Sequence, residues 1–71
     1  MNRSTAIHFA KQLYTAMLTR GVYNNSKGII THSETDDLWH AAIIEGMEVW
    51  HVTIRSNGTK EGALVSAKKA G

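Results

Sequence analysis

The sequence predicts an α+β domain. It reads as an amphipathic N-terminal helix, a short strand, a second helix and a C-terminal β-hairpin, with the helices packed on one face of a small sheet. Three observations lead there. Ser4 to Arg20 carries apolar residues at helical spacing, Thr31 to Gly46 opens on capping residues followed by acids, and Glu48 to Arg55 alternates apolar with polar residues ahead of an Asn-Gly pair.

In the first segment, helical spacing puts Ala6, Ile7, Phe9, Ala10, Leu13, Tyr14, Met17 and Leu18 on one side, against His8, Lys11, Gln12, Thr15 and Thr19 on the other. An apolar arc of that width exceeds the ~100° stripe of an ordinary surface helix, so it calls for two neighbours, from this chain or from a second copy. Ser4 is the expected N-cap, Arg20 a favourable cation in the last turn, and Gly21 the left-handed residue that ends the helix. Asn24-Asn25-Ser26-Lys27-Gly28 is turn chemistry, and Ile29-Ile30-Thr31 reads as a short β-branched strand.

The second helix is expected after Thr31-His32-Ser33-Glu34, which fits a capping box, with Glu34, Asp36 and Asp37 in the first turn where the helix dipole favours acids. Leu38, Trp39, Ala42 and Ile43 would form its apolar face, Asp37, His40 and Ile44 the opposite one, and Gly46 would stop it. In the hairpin, Trp50, Val52 and Ile54 point one way and Val49, His51, Thr53 and Arg55 the other. A type I′ turn at Asn57-Gly58 would set Val52 opposite Ala63 and Trp50 opposite Val65. The competing reading makes Thr59 an N-cap and Glu61 to Lys69 a third helix, against which Gly62 counts. One domain is expected across residues 1–71, with frayed ends at 1–3 and 67–71.

With 71 residues the core is small, and the absence of cysteine removes disulfides and thiolate metal sites as sources of stability. It also fits a reducing, cytoplasmic setting. No apolar run approaches the ~20 residues of a membrane span, and the first residues carry no signal peptide pattern, so no membrane role is expected.

Net charge is +2, distributed in blocks along the chain. Residues 1–27 hold Arg3, Lys11, Arg20 and Lys27 without an acid. Residues 28–54 hold Glu34, Asp36, Asp37, Glu45 and Glu48 without Lys or Arg. Arg55, Lys60, Lys68 and Lys69 then follow, against Glu61 alone. Such blocks neutralise each other within a fold or across a dimer, or they form separate acidic and basic faces.

No nucleophile elbow, phosphate-binding loop, dinucleotide fingerprint or EF-hand is present, so an enzyme is not expected and no cofactor is implied. His32, Asp36 and His40 are spaced four apart and would align as metal ligands on one helix. The capping signals place His32 ahead of that helix, which leaves an ordinary Asp36–His40 pair and no metal site.

Two function classes remain. The first is an interaction protein that binds a protein partner or forms a homodimer, with Asp36, Asp37, His40, Ile44 and Glu45 as its contact residues. By analogy of size alone, such a chain could be a regulator or inhibitor of the kind that phage carry. The alternative is nucleic-acid binding through Trp50, His51, Arg55, Lys60, Lys68 and Lys69, where cations would track phosphates and the aromatic ring would stack on bases. The run Asn57 to Ala70 resembles the end of a double-stranded-RNA-binding domain, where Lys-Lys opens the last helix. That resemblance covers the tail alone and identifies no family.

Overall fold

The computed structural model describes residues 1–71 and contains one helix and one sheet. Helix α1 spans Arg3–Arg20 and is followed by five strands: β1 Asn24–Asn25, β2 Gly28–Ser33, β3 Leu38–Glu45, β4 Glu48–Arg55 and β5 Ala63–Lys69. The strands form an antiparallel meander in the order β1-β2-β3-β4-β5. α1 covers one face of this sheet, and nothing in the chain covers the other.

The helix is capped two residues earlier than expected. Asn2, not Ser4, is the N-cap, with its side-chain oxygen accepting from Thr5 N–H at 2.8 Å. Gly21 ends the helix in the left-handed region at φ 69°, and its N–H donates to Met17 O. The buried stripe is Ala6, Ala10, Leu13, Tyr14 and Met17, with Phe9 half-buried and Leu18 half exposed. Of the wide arc read from the sequence, only its centre meets the sheet. The accessible surface is 4479 Å², close to the ~4,400 Å² of a compact monomer of this mass.

The expected second helix does not exist, and with it goes the arrangement of two helices on a sheet. Leu38 to Glu45 is the central strand, paired to β2 on one side and β4 on the other. Read with period two, Trp39, Ala41 and Ile43 point to α1 while Leu38, His40, Ala42 and Ile44 point away. Eight residues between a turn and a glycine suit a strand better than a helix of three or four turns, and Trp and Ile favour it. The decisive reason is tertiary. Only as a strand can this segment supply ladder hydrogen bonds to two neighbours at once. The residues read as a capping box and acidic first turn form the β2–β3 turn instead. Asp37 adopts φ 54° there, and Asp36 Oδ1 accepts from Leu38 N–H at 3.0 Å.

The C-terminal hairpin is present, but its turn and register differ from those expected. Arg55 pairs with Ala63, Val52 with Ala67 and Trp50 with Lys69, and a bulge between Thr53 and Ile54 leaves Val65 as the extra residue on β5. Asn57-Gly58 is not a two-residue turn. It lies in a loop from Ser56 to Gly62, where Asn57 Oδ1 accepts from Thr59 N–H at 3.0 Å and Thr59 Oγ1 accepts from Gly62 N–H at 3.1 Å. The helix holds this loop through Tyr14 Oη to Ser56 Oγ at 2.7 Å and Thr15 Oγ1 to Lys60 O at 2.8 Å. No helix forms at Glu61 to Lys69, so Lys68-Lys69 does not open one as the double-stranded-RNA-binding tail would require. A two-residue turn is instead found at Gly46-Met47, between the paired Glu45 and Glu48, with Gly46 at φ 61° as a type II′ turn asks of its first residue.

Ten apolar residues make the buried core, five from α1 and five from the sheet: Ile30, Ala41, Ile43, Val52 and Ile54. At one end of the sheet the amino group of Met1 donates to Glu48 Oε2 at 2.8 Å, and Lys69 Nζ reaches Glu48 Oε1 at 3.3 Å. The amino-group hydrogen bond, then Lys69, holds the Glu48 carboxyl below its usual range.

The β4–β5 loop yields a direct test. A Cβ on Gly62, at φ 71°, would meet Ile54 Cγ2 at 2.5 Å and the Tyr14 ring at 3.0 Å, whereas one on Gly58, at φ 84°, would meet nothing within 4 Å. Gly62→Ala is expected to lose about 2–4 kcal/mol from strain and overpacking together, and Gly58→Ala about 1 kcal/mol from strain alone. Urea unfolding of the two variants checks the difference.

Candidate functional site

Strand alternation determines what the uncovered face presents. The register sets Thr31, His40, Thr53 and Ser66 in one row across β2 to β5, and Ile29, Ala42, His51 and Lys68 in the next. Ile44 lies opposite Val49 beyond these, beside the Gly46-Met47 turn. Arg55 adds a cation at the other end of β4. A shallow depression of about 240 Å³ lies in the middle, lined by Ile29, Thr31, His40, Ala42, His51 and Thr53 among others.

One end of this face is apolar. Ile29 and Ile44 are 44% and 46% exposed, and Met47 at the turn is fully exposed at 101%. Val49 beside them is half-buried. None of the strands places a carboxylate on this face. Glu34, Asp36 and Asp37 belong to the β2–β3 turn, Glu61 to the β4–β5 loop, and Glu45 and Glu48 alternate to the helix side with Ile43 and Trp50. The face therefore combines exposed apolar residues with Arg55, Lys68 and two imidazoles and carries no strand acid to oppose them.

Its most connected polar group is His40. Nε2 lies 3.2 Å from Asp36 Oδ2, and Nδ1 lies 3.5 Å from Thr53 Oγ1. Asp36 is fixed by the turn that carries it. Burial pushes its carboxyl up, but hydrogen bonds from Leu38 N–H, Ser33 and His40 outweigh burial and leave it below its ordinary value of 3.8.

The residues expected to form a protein contact are divided. His40 and Ile44 share the uncovered face, while Asp36 and Asp37 sit in the turn at one end of β3 and Glu45 at the other. Across this eight-residue strand, the two acidic groups are roughly 25 Å apart. The basic set divides as well. His51, Arg55 and Lys68 lie on the uncovered face, Trp50 and Lys69 on the helix side, and Lys60 in the loop against α1. With Trp50 packed against the core, the basic set loses the tryptophan that was to stack on bases.

His32, Asp36 and His40 do not converge. His32 stacks on Trp39 with ring centroids 4.6 Å apart on the helix side and pairs with Asp37 at 2.8 Å, while His40 pairs with Asp36 on the other side. No group of three His, Cys, Asp or Glu side chains is arranged to hold a metal ion. A larger concavity of about 570 Å³ follows the solvent side of α1 past His8, Lys11, Gln12, Thr15 and Thr19. With one apolar lining residue, it lacks the apolar walls of a ligand pocket and is a groove between long polar side chains.

Reading by segment missed Ile29, Met47, Val49 and Thr53. For Val49 and Thr53 the signal was present in the alternation of Glu48 to Arg55, and for Met47 in the Gly-Met pair between two glutamates. No helix is long and apolar enough to cross a membrane. Compared with known protein families, curated proteins and solved structures, the chain matches none.

The Asp36 arrangement predicts a pH dependence with a definite sign. A depressed carboxyl contributes stability above its unfolded value and loses it as pH falls through the lower folded value. The Leu38 amide proton shift, followed by NMR, should therefore titrate with a midpoint below 3.8. Asp36→Asn should abolish that titration.

Proposed function

We propose that this chain works by binding a partner protein through the uncovered face of its sheet. The observation that carries the reading is the cluster of exposed Ile29, Ile44 and Met47 with half-buried Val49, flanked by Lys68 and His51, on a face to which no strand contributes a carboxylate. An apolar patch bordered by polar groups is the usual anatomy of a protein interface, and here the cations beside the patch favour a partner with acidic groups next to an apolar contact. Ile44 keeps the role expected of it. Asp36 reaches this face only through its pair with His40, Asp37 and Glu45 do not join it, and the steering charge changes sign, from acids seeking a basic partner to cations seeking an acidic one. A small chain with one such face would act as a regulator or inhibitor by occupying its partner's surface.

Nucleic-acid binding is the second reading, and it rests on Arg55 and Lys68 with the hydroxyls of Thr53 and Ser66 across from each other on the same face. Cations and hydroxyls of this kind contact phosphate oxygens. Two such cations would give a log–log salt slope of about −2, since each neutralised phosphate contributes about −0.9.

Affinity capture from nuclease-treated lysate, run in parallel with wild type and Ile44→Lys, separates the two. Ile44 is half exposed, so the variant should stay within about 0.5 kcal/mol of wild-type stability. Loss of a central apolar contact should weaken a protein partner by about 2 kcal/mol, roughly thirtyfold. Lys60→Gln, off this face, should retain it. A protein that binds Ile44→Lys as well as wild type would sink the reading. Capture lost to nuclease would favour the second one.

A further inference from the structure

The uncovered face also contains a hydroxyl, an imidazole and a carboxylate in series. Asp36 Oδ2 accepts from His40 Nε2 at 3.2 Å, and Thr53 Oγ1 lies 3.5 Å from His40 Nδ1. With the proton held on Nε2 by Asp36, Nδ1 is left as an acceptor, and it faces the Thr53 hydroxyl. This is the nucleophile, base and orienting-group order that activates an otherwise weak hydroxyl. Each member is held by a different part of the fold. Thr53 and His40 are direct cross-strand partners on β4 and β3, and Asp36 is anchored in the β2–β3 turn by Leu38 N–H. All three border open space, and the depression lined by Thr31, Ala42 and His51 gives a small acyl group room beside Thr53.

We propose that Thr53 is an acyl-acceptor site, activated by His40 and oriented through Asp36, that takes an acyl group from an activated ester or thioester. Thr53 Oγ attacks the acyl carbon as its proton passes to His40 Nδ1. The new Oγ–C bond forms, the bond from carbon to the leaving oxygen or sulfur breaks, and the imidazolium returns its proton to the departing group. No oxidant or further reactant is needed. The same structure sets the limit on the donor. Backbone N–H groups of the paired strands lie in the plane of the sheet and serve the ladder, so none points out of this face to stabilise an oxyanion. Only donors with good leaving groups therefore react. For the same reason water removes the acyl group slowly, and the product is a modified protein. The site stands on geometry independent of the binding reading.

The test uses the full chain with p-nitrophenyl acetate, following p-nitrophenolate release and locating the acetyl group by peptide mass mapping. One acetyl group on Thr53 is expected. His40→Ala should slow its appearance at least about a hundredfold, the low end for a lost general base. Thr53→Val should remove the label at that position, and Thr53→Ser should restore it. Asp36 is a positioning residue, so Asp36→Asn should shift the pH–rate profile as well as lower the rate. A merely structural role would leave the profile in place. Circular dichroism confirms that each variant is folded. Acetyl groups confined to lysines or the terminal amine, or a Thr53 label that forms equally fast in His40→Ala, would overturn the proposal.

Discussion

The fold depends on the contact between one helix and one face of the sheet. Ala6 and Ala10 are fully buried and carry no bulk, which suits a close approach of α1 to the sheet, and Ile30, Ala41 and Val52 form one buried row of the face it covers. Leu13, Tyr14 and Met17 then extend the contact along the helix. Tyr14 ties the helix to the central strand and to the β4–β5 loop. Its ring meets Trp39 edge-on at 5.9 Å, its hydroxyl holds Ser56, and its edge closes the space over Gly62. Because this contact fixes which residues of every strand turn inward, it also fixes which turn outward. With one helix only, the outward set has no cover.

That constraint explains which elements could be read from the sequence. α1 was legible because eighteen residues at a steady spacing leave little ambiguity. β4 was legible because strict alternation has no helical counterpart, and β2 because its β-branched run sits beside a turn. The segment from Thr31 to Glu45 was misread because its local chemistry serves two structures. A serine, two threonines and three acids before an apolar run fit a helix N-terminus, and they fit a hairpin turn just as well. Leu38 to Ile44 also satisfies both periods over so short a run. What decides is the need of β2 and β4 for a common neighbour, a long-range requirement that no window contains. The register of β5 failed for a related reason. Asn-Gly is a strong turn signal, but Gly62, pressed against Ile54 and Tyr14, governs where the second strand begins.

The candidate surface was partly legible for a different physical reason. Charge along this chain is sorted by segment, whereas space is sorted by strand parity. Neighbours in sequence such as Trp50 and His51, or Lys68 and Lys69, land on opposite faces of the sheet. A basic segment therefore becomes two half-basic surfaces, and an acidic segment becomes two clusters at opposite ends of β3. Ile44 and His40 were identified as outward residues because four apart in a strand, as in a helix, means the same side. Met47 could not be identified, since its exposure depends on the Gly46 turn.

The separation of the two faces has a consequence for how function could be carried. The ten core residues all lie between α1 and the sheet, and none belongs to the outward set. Ile29, Ile44, Val49 and Met47 thus remain partly or wholly in water in the free chain, where their apolar surface contributes less to folding than burial would. Their apolar area is still available to be removed from water by contact. Polar residues between them keep the face from being a continuous apolar sheet, and lysines on β5 discourage strand pairing at the edge. The face is therefore compatible with a free, folded chain while retaining surface for association. Changes there alter contact without removing the core, so loss of binding in an outward-face variant reports on the surface itself.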